Sequence, residues 1–90
     1  MKEVLVYTTP FCSYCVRAKR LLQSRGVQYT EINASGNPEL RAWLREKSGQ
    51  RTVPQIFIGG VSVGGYTELS LLDRRHVLLP MISGDETEET

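Results

Sequence analysis

Cys12 and Cys15 are the only cysteines in the 90-residue chain, and they stand within the stretch Phe11-Cys12-Ser13-Tyr14-Cys15. Two thiols at this spacing can cycle between an open dithiol and a disulfide, or supply half of a metal site. Three positions make nearly one helical turn, so on a helix the two sulfurs lie on the same side. A thiolate at the first turn of a helix meets unpaired backbone N–H groups and the positive end of the helix dipole, which favour it over the thiol. The two roles are then unequal. Cys12 is expected to be the exposed attacking thiolate, and Cys15 the more buried resolving thiol.

The flanking residues supply that placement. Val4 to Tyr7 is a short apolar, β-branched run that reads as a buried strand. Val16 to Arg25 is rich in Leu, Ala, Arg and Lys and closes on Gly26, so it reads as a helix beginning at or beside Cys12. Val27 to Ile32 alternates as a second strand, and Asn37-Pro38 opens a helix that ends at Gly49. In that helix Leu40, Trp43 and Leu44 form an apolar stripe, with Trp43 expected at the core or its edge. Gln55 to Ile58 and Val61 to Val63 flank Gly59-Gly60 and predict a hairpin. A third helix is expected to start with Thr67 as its N-cap and Glu68 in its first turn, to run through Leu69, Leu72, Arg75 and Leu79, and to stop at Pro80.

The predicted order is β-α-β-α-β-β-α. A strand–helix–strand unit is parallel and right-handed, and a two-residue hairpin is antiparallel. The expected fold class is therefore α/β, a four-stranded mixed sheet with three helices, and with the dithiol on the first β-α turn it resembles a thioredoxin fold. Residues 1–82 form one domain, and the acidic stretch 83–90 is expected to be a disordered tail.

Composition narrows the function classes. Hydrophobic residues at 40% and charged residues at 23% suit a globular domain. The net charge is +1, but Asp85, Glu86, Glu88 and Glu89 contribute −4, leaving a basic body. No Arg-rich run interleaves with aromatics and no zinc-finger spacing occurs, so no nucleic-acid partner is expected. The apolar run after Lys2 and Glu3 is too short for a signal core or a membrane span. A reducing, cytoplasmic location is expected, where this cysteine spacing points to catalysis or metal binding. His76 stands alone, so zinc finds half a site at most.

Cys12-Ser13-Tyr14-Cys15 after the first strand, Thr52-Val53-Pro54 before the third and Gly64-Gly65 after the fourth occur in an order and at spacings that resemble the glutaredoxins. The resemblance covers Val4 to Pro80. It implies a glutathione-dependent thiol–disulfide oxidoreductase that reduces protein–glutathione mixed disulfides and protein disulfides, with Cys12 as nucleophile and Cys15 as resolving cysteine. It further implies that Pro54 is cis, and that the Thr52-Val53 backbone receives glutathione like an added strand. Gly64-Gly65 lets the chain approach the ligand closely, and Tyr66 and Thr67 take the γ-glutamyl end. Arg41 takes the glycine carboxylate, with Arg51 as a second candidate cation, and Tyr14 stands beside the active sulfur. Two positions depart from the family pattern. Thr9 stands where many glutaredoxins have Lys, and Ser13 where many have Pro. Some members with Cys-Ser-Tyr-Cys hold a [2Fe-2S] cluster between two subunits and two glutathiones, so a cluster-bridged homodimer with Cys12 as ligand is the alternative to a monomeric enzyme. A glutathione-independent donor for ribonucleotide reduction fits less well, because the Thr-Val-Pro and Gly-Gly motifs are present.

Overall fold

The computed structural model describes residues 1–84, so the acidic residues 85–90 of the expected tail lie outside the described part. Strand β1 (Val4–Thr8) is followed by helix α1 (Ser13–Ser24), β2 (Thr30–Asn33), α2 (Pro38–Ser48), β3 (Gln55–Ile58), β4 (Val61–Gly64), α3 (Tyr66–Arg74) and α4 (Leu78–Ser83). The strands form one mixed sheet in the order β2-β1-β3-β4. β1 runs parallel to β2 and antiparallel to β3, and β3 pairs antiparallel with β4 across the Gly59-Gly60 turn.

Alternation along the strands sends successive side chains to opposite faces. Val4, Val6, Ile56 and Ile58 meet Ala18 and Leu22 of α1, Leu69 of α3, and Leu78 and Ile82 of α4 on one face. Tyr7 and Phe57 meet Leu44 of α2 on the other, with Leu5, Ile32 and Leu40 against them. Trp43 stacks on Phe57 at a centroid distance of 5.5 Å while staying partly exposed, which places it at the core edge. Fully burying one such aliphatic side chain is worth about 1.5–3 kcal/mol, so the two clusters hold the helices to the sheet.

The segment expected as a third helix is two helices. His76 adopts a left-handed φ of 59° and turns the chain between α3 and α4, a conformation that breaks helical propagation. Pro80 does not stop a helix. It is the third residue of α4, where an N–H has no intrahelical acceptor to lose. Thr67 is not the cap of α3 either. The N-cap is Gly65, whose N–H donates to Glu68 Oε1 at 2.7 Å, so the carboxylate reaching back sets the helix start.

The topology gathers three loops at one end of the sheet. Tyr7, near the end of β1, pairs with Gln55 at the start of β3, and Ile56 pairs with Gly64 at the end of β4. The Thr9–Cys12 loop, the Thr52–Pro54 loop and the Gly64-Gly65 exit thus converge.

Candidate active site

Cys12 is the N-cap of α1, with extended backbone angles and Ser13 as the first helical residue. Its sulfur accepts the Cys15 N–H at 3.1 Å, one of the donors that a helix start leaves unpaired. The same sulfur lies 3.7 Å from the Val53 carbonyl oxygen, so strand-loop and helix-loop meet at the thiol. Cys12 is half-buried, whereas Cys15 is only 2% exposed. Burial, reinforced by the hydrogen bond with Cys12, pushes the Cys15 thiol up to about 12. The pair is reduced in this structure.

Clefts open on two sides of Cys12. One is lined by both cysteines together with Thr8, Phe11, Lys19 and Glu31. There the Glu31 carboxylate accepts from the Thr8 hydroxyl at 2.8 Å and from the Lys19 ammonium at 3.0 Å. These bonds, Thr8 first, hold its carboxyl below the usual range. Phe11 beside Cys12 is fully exposed and has φ 60°.

The second cleft is a groove lined by Tyr14, Thr52, Val53, Pro54, Gly65, Tyr66 and Thr67, together with Gln50 and Glu68. Tyr14 and Tyr66 stand across from each other with ring centroids 6.0 Å apart, and the Arg17 guanidinium lies over the Tyr14 ring at 5.1 Å. The Val53–Pro54 peptide bond is cis, as the family resemblance implied. Among the described residues nothing accepts from the Val53 N–H, so this backbone donor remains available beside the thiol. A Cβ on Gly65 would stand 3.1 Å from the Pro54 carbonyl oxygen, which explains why the two loops approach this closely only with glycine at that position.

Seven of the expected binding residues therefore share one groove next to Cys12. Arg41 does not line it. Its guanidinium donates to the Arg51 carbonyl at 3.3 Å and ties α2 to the loop ahead of Thr52. Gln50 lines the groove without having been singled out in the sequence, where it reads as a residue just past the Gly49 helix stop.

Comparison with known proteins agrees with this arrangement. The glutaredoxin family model matches residues 4–63. The chain is 51% identical over 83 residues to a glutaredoxin of Pseudomonas aeruginosa, covering 92% of this chain and 99% of that one. It is 44% identical over 82 residues to glutaredoxin 3 of Escherichia coli, covering 91% and 99%. A buckwheat glutaredoxin–glutathione complex superposes with a TM-score of 0.87 at 32% identity, covering 92% of this chain and 78% of that one. The chain belongs to the glutaredoxin family of thiol–disulfide oxidoreductases, with Cys12 and Cys15 as its active-site pair.

Proposed function

We propose that the protein reduces protein–glutathione mixed disulfides, and protein disulfides, with glutathione as the reductant and Cys12 as the nucleophile. The observation that carries this reading is the half-buried Cys12 sulfur at the α1 N-terminus, bonded by the Cys15 N–H and flanked by a peptide-sized groove. Glutathione is an extended tripeptide with two carboxylates. The unpaired Val53 N–H suits its cysteine backbone, and the start of α3 at Tyr66-Thr67 suits its γ-glutamyl carboxylate. Arg41, whose guanidinium has N–H groups beyond the one given to the Arg51 carbonyl, is the candidate partner of its glycine carboxylate.

In the first step the Cys12 thiolate attacks the glutathionyl sulfur. The substrate's S–S bond breaks, the protein thiolate leaves, and Cys12 carries the glutathionyl group. In the second step a glutathione thiolate attacks that group, restoring the Cys12 thiolate and releasing oxidised glutathione. Alternatively, Cys15 loses its proton and attacks Cys12. This forms the intramolecular disulfide and releases reduced glutathione. The high pKa of Cys15 keeps it protonated near neutrality and favours the first route.

The ring-closing branch then has a defined pH signature. Starting from the Cys12–glutathione adduct, the rate of glutathione release by Cys15 should rise about tenfold per pH unit from pH 6 to 9, because only the thiolate attacks. Thiol-trapping with mass spectrometry measures it; a rate that levels off below pH 8 contradicts the assignment. The reading as a whole is tested with a glutathionylated peptide, for which peptide release must saturate and must depend on glutathione.

The alternative, a cluster-bridged dimer, would take one Cys12 thiolate from each subunit and its two remaining ligands from glutathione. Cys12 supplies one accessible thiolate, and among the described residues no group of three or more His, Cys, Asp or Glu side chains could hold a metal. Any such cluster would therefore depend on bound glutathione for half of its ligands.

A further inference from the structure

Gln55 is a carboxamide with no solvent exposure on β3, where its neighbours Ile56, Phe57 and Ile58 are all apolar. Its Nε2 is fully used, donating to Gln50 Oε1 at 2.9 Å and to the Thr52 carbonyl at 2.9 Å. A carbonyl oxygen can only accept, so the Thr52 bond fixes which end of the Gln55 amide faces the loop. The other end, Gln55 Oε1, is equally buried and accepts from no donor among the described residues. A buried acceptor without a donor destabilises a fold, and an apolar side chain would fill this position at less cost. Packing therefore does not account for Gln55.

What Gln55 does is hold two groups at once, the Gln50 side chain and the Thr52 carbonyl. Gln50 lines the groove beside Val53, Pro54 and Gly65. Its backbone is pinned as well, with its N–H donating to Ser48 Oγ at 3.0 Å while that hydroxyl donates to the Leu44 carbonyl at 2.7 Å. Since Gln50 Oε1 is held by Gln55, the free end of the amide is Nε2, a donor that no protein acceptor among the described residues engages.

We infer that Gln50 is a further binding residue for the glutathionyl part of the substrate, offering its Nε2 to a carboxylate or peptide carbonyl, and that Gln55 is the residue that positions it. The inference rests on the glutathione reading above. It differs from the Arg41 assignment in chemistry, since a neutral donor held from behind discriminates acceptor from donor without adding charge.

The test is steady-state kinetics on a glutathionylated peptide with Gln50→Glu, Gln50→Ala and Gln55→Leu. Gln50→Glu keeps the shape but exchanges the donor for a charged acceptor, so KM should rise about tenfold, with a smaller rise for Gln50→Ala and the loss falling on KM rather than kcat. Gln55→Leu should raise KM toward the Gln50→Ala value while its Tm is no lower than that of the parent. Because Gln55 also bonds the Thr52 carbonyl on the groove loop, the Gln50 variants decide whether the effect runs through Gln50. A peptide carrying glutathione esterified at its glycine carboxylate separates the acceptors. If the Gln50→Glu penalty shrinks, the partner is the carboxylate; if it persists, the partner is a peptide carbonyl. Parent-like KM in Gln50→Glu overturns the inference, and so does a Gln55→Leu protein with lowered Tm and unchanged KM. The Gln50 variants decide the matter even where Gln55→Leu does not fold. Parent protein that shows no saturable glutathione-dependent turnover overturns the functional reading itself and this assignment with it.

Discussion

Cys12→Ser is expected to lose glutathione-dependent turnover by at least about a thousandfold, while Cys15→Ser keeps most of it. Serine is an excellent N-cap and is nearly isosteric with cysteine, so the first variant preserves the start of α1 and removes only the thiolate. A loss of activity with unchanged unfolding behaviour therefore reports on chemistry and not on the fold. Cys15→Ser removes a thiol that is buried, protonated near neutrality and needed only for ring closure. Its backbone N–H, which bonds the Cys12 sulfur, remains in place. Equal loss in both variants contradicts this partition and makes the Cys12–Cys15 disulfide obligatory. The measurement is release of the thiol from a glutathionylated peptide, followed at several glutathione concentrations.

Gly64→Ala is expected to destabilise the protein by about 2–4 kcal/mol, more than most single substitutions outside the core. Gly64 holds φ 106°, a conformation that side chains with a Cβ rarely adopt. The added methyl would also lie 2.7 Å from Glu68 Oε1, 2.8 Å from its Cγ and 3.0 Å from its Cβ. The Cβ contact cannot be relieved by rotating the carboxylate alone. Glu68 must move, and its bond to the Gly65 N–H is then lost together with the start of α3. Because Tyr66 and Thr67 line the groove at that start, KM for the glutathionylated peptide should rise as well. Glu68→Ala isolates the cap and should cost only about 1 kcal/mol. Denaturant unfolding of the two variants checks the order, and a Gly64→Ala change below about 0.5 kcal/mol contradicts it.

Much of the sheet and the first two helices was readable from pattern alone, because each is specified locally. Val4 to Tyr7 is a buried run, Leu40 and Leu44 are spaced for one helix face, and Gly59-Gly60 can form only a tight turn between two β-rich runs. The α3–α4 break was not readable. His76 takes a left-handed conformation that its residue type does not announce, and Pro80 signals a stop although the third residue of α4 accommodates it. The cap of α3 was misplaced for a related reason. Thr67 has the better intrinsic preference, but Glu68 reaches back to Gly65 and moves the start.

The site follows the same division. Cys12, Cys15, Pro54 and the residues flanking them belong to short motifs with chemical meaning, so their juxtaposition was expected before the topology was known. Gln50 belongs to no motif. Its position on the groove depends on Gln55, whose burial follows from the β1–β3 pairing and is invisible in local sequence. Arg41, a cation singled out by its position, lies outside the groove lining and donates to the Arg51 carbonyl.

The most direct test of the account is to expose the Cys15→Ser protein to a glutathionylated peptide and to locate the adduct by mass spectrometry. Attack at the glutathionyl sulfur predicts one glutathione on Cys12 and an equal amount of free peptide thiol. Peptide attached to Cys12, with glutathione released, would contradict the central claim that the groove beside Cys12 holds the glutathionyl group.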